Sequence, residues 1–309
     1  MLVASDAYFL AIDVTGGILL VCGFLFNLLG FLLFRQVNIR SVASRYLLAA
    51  QYMFDAAGCI VIFLYLITYN LDIVRARFVY TWFCSIWLSH YLFWLANGLS
   101  ATNMVLLSLD RYWAVVWAIS YPKKPKHYVP VLVGATWIFS IVFTIPLLRN
   151  NMCFPTVLNG TIQPFETDPN LNVIGFVFGY AIPSLVLCVL QFRTLFAIRR
   201  LKRSCNLTRP DQDNASLDPN LLVISVATTI LTTVYSVSRG YTQLIALIRS
   251  FGVHIHVFEG DWERPYYIVY GLNFLVEPLA LTLSMPSVRM LISKQWRAVF
   301  KSKQNSNAN

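Results

Sequence analysis

The sequence predicts an all-α membrane protein, a seven-transmembrane helix bundle with a short amphipathic cytoplasmic helix behind it. Three observations carry the prediction. Of 309 residues, 57% are apolar and only 12% charged, and the mean hydropathy is +0.61, which leaves too little polar surface to cover a water-soluble core. Seven apolar segments, at about 9–34, 46–71, 78–109, 128–148, 172–198, 219–248 and 266–292, meet the roughly 20 residues that a helix rising about 1.5 Å per residue needs to cross hydrocarbon. None shows the period-2 alternation of barrel strands, and helices satisfy their own backbone hydrogen bonds in lipid.

Taken in order, the first segment holds Asp13 and Asn27 and the second Asp55. The third is charge-poor from Phe78 to Leu109 and closes on Asp110-Arg111-Tyr112. A charged pair at the end of a membrane-length helix is costly unless it sits at the water interface with a task, so this triplet reads as a switch at the cytoplasmic mouth. The fourth and fifth segments carry Pro146 and Pro183, the sixth ends its polar run at Arg239, and the seventh contains Asn273 to Pro278. Between the fifth and sixth, Cys205 to Pro219 is linker-like in its Asp, Asn and Pro content. Beyond the seventh, Val288, Leu291, Ile292, Trp296, Val299 and Phe300 alternate with Arg289, Lys294, Arg297 and Lys301, the pattern of a basic helix lying on membrane lipid. One domain over 1–303 and a disordered tail over 304–309 are expected.

Positive charge orients the bundle. Eighteen of the 24 Lys and Arg fall in the first, third and fifth connections and the tail, which makes that side cytoplasmic and the N-terminus extracellular. The net charge of +10 thus follows from topology and anionic inner-leaflet lipid, and nucleic acid is not an expected partner. Met1 to Ala7 has no basic n-region, so no cleavable signal peptide is expected.

Of six cysteines, Cys22, Cys59 and Cys188 lie within helices and Cys205 faces the reducing side. Cys84 and Cys153 face the oxidising side and are expected to form a disulfide. Asn159-Gly160-Thr161 is a glycosylation sequon in the same outer loop as Cys153, whereas the sequons at Asn206 and Asn214 are expected inside and bare.

These residues, over essentially the whole chain, resemble the rhodopsin-like (class A) G-protein-coupled receptors. Asn27 and Asp55 match that family's polar residues of helices one and two at the usual separation. Ser108 to Tyr112, Ala114-Val115 and Tyr121 look like its helix-three terminus and second inner loop, and Trp137, Pro146 and Pro183 fall at familiar intervals. Asn273 to Pro278, running into Met285-Pro286-Ser287, resembles the end of its seventh helix. The departures mark a divergent member: Glu277 replaces the usual Asn before proline, Leu281 a Tyr, Gln191 a Tyr and Ala118 a Pro, while helix six lacks Cys-Trp-x-Pro. Cys84 sits about two residues early.

The resemblance implies a receptor that binds an extracellular ligand and activates a heterotrimeric G protein, at the plasma membrane, with no enzymatic activity. In it Asp110 would hold Arg111 at rest, and Arg111 would then meet the G protein. Asp55, Ser100, Asn273 and Glu277, with Asn27 beside them, match the family's sodium pocket. Two acids and two neutral oxygen donors suit a small hard cation or a shared proton, against a structural hydrogen-bond network as the plainer reading. No other cofactor is expected.

The ligand is less legible. Amine-binding members carry an aspartate about five helical turns before the Arg, and here that position is Phe93. A retinal Schiff base needs a lysine, and none lies between Tyr266 and Ile292. The outer half offers His90, Phe93, Trp94, Asn97, Arg239, Gln243, Tyr267 and Tyr270, aromatic walls with a few polar groups. Arg239 would pair a ligand carboxylate or an acid of the following loop, or reach for the outer interface. A non-aminergic ligand, with a peptide favoured, is the expectation. The alternative is a secondary transporter or cation/proton pathway using Asp55 and Glu277, although the paired repeats of such proteins are not visible. The four histidines form no catalytic metal cluster.

Overall fold

The computed structural model describes residues 2–37, 41–69, 86–87, 91–117, 120–121, 128–150, 157–158, 161–162, 169–208, 219–251, 264–284, 288–294 and 297. Helices α1 (Leu2–Arg35), α2 (Val42–Tyr69), α3 (Tyr91–Val116) and α4 (Tyr128–Asn150) come first. The fifth rod comprises α5 (Pro169–Phe176), a π-helical turn (Val177–Ala181) and α6 (Ile182–Thr208). Two more helices, α7 (Pro219–Ser250) and α8 (Arg264–Ser284), complete the bundle, and residues 288–294 are helical again beyond it.

Local chemistry explains several boundaries. The Ser41 hydroxyl caps α2 by accepting the Ser44 amide at 3.3 Å. Pro169 and Pro219 open their helices, where a missing N–H leaves no bond unmade. Pro183 accounts for the π turn: its ring crowds the carbonyl four residues back and it donates no hydrogen bond, and the preceding Ile182 amide reaches five residues back to the Val177 carbonyl.

One sequence expectation is corrected. The third helix does not stop at residue 109 but continues to Val116, so Asp110 and Arg111 lie inside it rather than at its end. Between α4 and α5 a two-residue hairpin pairs β1 (Val157–Leu158) with β2 (Thr161–Ile162) antiparallel. The Asn-Gly dipeptide between these strands in the sequence is a hairpin signal, and this loop ornament leaves the all-α class unchanged.

Lipid is the solvent of the outer surface. Leu25, Val142, Phe192 and Val237 are exposed on the rods, and five described helices are long and apolar enough to cross a membrane. Within α8 the described apolar stretch is Ile268–Thr282. α7 carries several Ser and Thr, and those hydroxyls are spent within the helix: Thr228 and Thr229 donate to the Ser225 carbonyl, Thr233 to Thr229 and Ser238 to Val234. Such back-bonding removes much of the cost of a hydroxyl in hydrocarbon.

α1 packs on α2 and α8, α7 on α8, and α3 touches α2, α4, α6 and α7, which makes it the central rod. One apolar cluster, with Phe34, Leu47, Tyr52, Met104, Leu107, Leu231 and Leu281, fills one half of the bundle. A second, with Leu20, Cys59, Ile62, Tyr270 and Phe274, fills the other. Asn27, Asp55, Ser100 and Glu277 occupy the layer between them.

Helix α2 meets α8 closely at Gly58, where an added Cβ would lie 2.7 Å from Phe274 Cζ in a side chain with no exposure. Gly58→Ala should therefore destabilise the detergent-solubilised protein by about 1–3 kcal/mol, the usual cost of overpacking. Thermal unfolding checks this, and Phe274→Leu in the same background should restore part of the loss.

Candidate functional site

The buried polar groups fall into three layers along α3, and each ties it to different neighbours. At the inner layer, Asp110 is 0% and Arg111 3% exposed. Arg111 Nε and Nη2 donate to Asp110 Oδ2 at 3.2 and 2.5 Å, and Nη2 also contacts the Ser44 hydroxyl. Ser44 in turn donates to Asp110 Oδ2 at 2.7 Å, and the Tyr121 phenol donates to Asp110 Oδ1 at 2.8 Å. Burial, and then the Asp110 carboxylate, push the Tyr121 phenol above its usual range, which keeps it a donor. Every strong acceptor on Asp110 is used, so the guanidinium is clamped between α3 and the start of α2 and closed off from water. Tyr112, third of the predicted switch residues, points away and meets Trp117 edge-on at 5.6 Å.

The middle layer brings together all five residues of the predicted pocket. Ser100 Oγ donates to Asp55 Oδ1 at 2.8 Å, and Asn273 Nδ2 to Glu277 Oε1 at 2.7 Å. The two carboxyls share one donor, Gln51 Nε2, at 3.1 Å from Asp55 Oδ1 and 3.3 Å from Glu277 Oε2. Asn27 is set beside them by its donor bonds to the Gly23 and Phe274 carbonyls, each 2.9 Å, which pin α1 to α8. Ser238 reaches across from α7 to Asn273 Oδ1 at 2.7 Å. Sequence reasoning missed Gln51, whose side-chain nitrogen lies among the acids, and Asn103, which holds the Gln51 carbonyl oxygen at 2.8 Å. The available signal was a glutamine four residues before Asp55, on the same face of an apolar helix.

The outer layer is built on Arg239 of α7, 5% exposed. Its guanidinium contacts Asn97 Oδ1 through Nη2 and Tyr270 through Nη1 at 3.5 Å, and lies over the Tyr235 and Tyr270 rings at 5.4 and 4.8 Å from their centroids. No carboxylate pairs with it among the described residues. Arg239 Nε and the Asn97 amide nitrogen are both buried without a hydrogen-bond partner among the described residues. Phe93 meets Tyr270 edge-on at 4.8 Å and Trp94 at 5.4 Å, which walls the guanidinium with rings. Tyr235 was not among the predicted ligand residues. Gln243 is buried one turn beyond Arg239 on α7. His90, Cys84, Cys153 and Asn159, and the Tyr267 side chain, lie outside the described residues, and the predicted disulfide and glycan with them.

Known proteins share this architecture. A solved structure of squid rhodopsin matches with a TM-score of 0.70 over 95% of this chain and 87% of that one, at 15% identity, which concerns the fold alone. The muscarinic acetylcholine receptor gar-3 of Caenorhabditis elegans is 25% identical over 225 residues, 70% of this chain and 36% of that receptor. An octopamine receptor of Heliothis virescens is 25% identical over 122 residues, 39% of this chain and 25% of the receptor. The matched regions thus span about a third or less of those relatives' length. The pattern described as 7 transmembrane receptor (rhodopsin family) runs through residues 28–278, and the chain, a multi-pass membrane protein, belongs to that receptor family.

Proposed function

We propose that this protein is a plasma-membrane receptor, N-terminus outside and C-terminus inside, that binds an extracellular ligand in its outer half and activates a heterotrimeric G protein at its inner mouth. One observation carries the reading: α3 bears both the buried Asp110–Arg111 clamp and, about four turns away, the Asn97 amide that meets Arg239. A ligand that displaces Arg239 from Asn97 pulls on the same rod whose far end holds the clamp. Agonist binding then works as population shift, favouring a state in which Arg111 is released to a partner.

The ligand is read as non-aminergic and acid-bearing, with a peptide carboxylate favoured. Acetylcholine and octopamine, named in the two relatives, are cations, and a cation entering this layer would meet a buried guanidinium and Phe93 rather than an acid. Arg239 Nε and the Asn97 amide nitrogen are two donors without acceptors, which a carboxylate supplies.

Nucleotide exchange on reconstituted G proteins, screened against acidic peptides, other carboxylates and amines, tests this reading. The expected result is activation confined to acid-bearing members of the panel. Activation by amines alone would overturn the ligand class, and substrate flux without exchange would favour transport through Asp55 and Glu277.

A further inference from the structure

The middle layer supplies its own occupant. Gln51 Nε2 lies 3.1 and 3.2 Å from the two oxygens of Asp55, 2.7 Å from Ser100 Oγ and 3.3 Å from Glu277 Oε2. Four oxygens from α2, α3 and α8 converging on one point are the surroundings a small hard cation takes, and the point is filled by a carboxamide nitrogen with two hydrogens. The amide cannot be turned the other way. Asn103 Nδ2 donates both to the Leu47 carbonyl at 2.9 Å and to Gln51 Oε1 at 2.8 Å, so the oxygen end of Gln51 is held on α3. A flipped Gln51 would set its carbonyl oxygen against two acids and its NH2 against that of Asn103, losing the bonds it makes to both.

We infer that the Gln51 carboxamide stands in the place of a sodium ion, so that Asp55, Ser100 and Glu277 are satisfied by a tethered neutral donor and the bundle binds no sodium there. An N–H donor and a cation compete for the same lone pairs and cannot share the space. Sodium entry would strip Gln51 of its bonds to three residues and leave its buried NH2 group unpaired, a cost that a pocket without the glutamine does not bear. Tethering also changes the response: the donor is always present at full effective concentration, so this layer ignores the extracellular sodium level.

The test needs no agonist. Thermal unfolding of the purified receptor is followed in sodium chloride and in choline chloride at equal chloride. The wild type should melt at the same temperature in both. Gln51→Leu removes the donor while keeping the volume, and should melt lower in choline and rise by several degrees as sodium is added, with saturation. A wild type stabilised by sodium overturns the inference, and so does a folded Gln51→Leu that ignores sodium. If Gln51→Leu does not fold in either salt, Asn103→Ala, which frees the amide from its anchor but keeps all four oxygens, carries the test. A sodium response there supports the inference and none overturns it.

Discussion

Asp110→Asn should raise agonist-independent nucleotide exchange roughly tenfold, while Arg111→Ala should bring exchange at saturating ligand down to that of receptor-free membranes. Asp110 is the acceptor for Arg111, Ser44 and Tyr121 together, and its side chain is fully buried. Asparagine keeps the shape and one carbonyl oxygen but removes the charge, so the guanidinium loses a charge-assisted bond of about 1.5–3 kcal/mol. That loss moves a two-state equilibrium by about tenfold or more, and it moves it toward water because an unpaired buried cation is the costlier partner to keep. Arg111→Ala acts differently: it strands Asp110 on two hydroxyls and lowers stability, so thermal unfolding must accompany the exchange assay. The role assigned to Arg111 is refuted by a folded Arg111→Ala that still activates. A merely structural ion pair would show the opposite for Asp110→Asn, lower stability with unchanged basal exchange.

The class of fold was legible because apolar length in lipid admits few solutions. The seven segments, the inner basic excess and the residues Asn27, Asp55, Asp110, Asn273 and Pro278 sufficed for it. The third helix ran past its expected end because the reading treated Asp110 and Arg111 as interfacial, whereas each neutralises the other and both can remain inside a continuous helix. The Ser and Thr of α7 did not hide its span at 219–248, and the structure shows why they are tolerated there: hydroxyls that bond to their own backbone count as polar in a sequence but not in hydrocarbon. The five pocket residues were readable as a set from their resemblance to a known pattern. What filled the space between them was not, because Gln51 belongs to no such pattern and acquires its meaning only when Asn103 of another helix turns it. Arg239 was legible as an anomaly, a cation in an apolar span, but its surroundings required the approach of α3 and α8.

The outer layer makes the second large prediction. On the wild type, an activating acid should lose potency when its carboxylate is converted to the amide, and Arg239→Gln should abolish that discrimination. Truncating one side of a buried, hydrogen-bonded charge pair costs about 2–5 kcal/mol, at least roughly thirtyfold in potency. The four measurements, acid and amide on wild type and variant, form a cycle in which the coupling energy belongs to the pair alone. If Arg239 only props Asn97 and the two tyrosines, the variant weakens acid and amide equally and the coupling vanishes, which would remove it as the ligand's partner. Arg239→Lys sharpens the distinction. A lysine retains the charge but lacks the planar fork, and within that fork it is the Nε hydrogen of Arg239 that is buried without an acceptor among the described residues. Partial loss in Arg239→Lys and full loss in Arg239→Gln is therefore the order expected for a carboxylate bound by two parallel N–H bonds, whereas a site that senses net charge alone would leave the lysine variant as potent as the wild type.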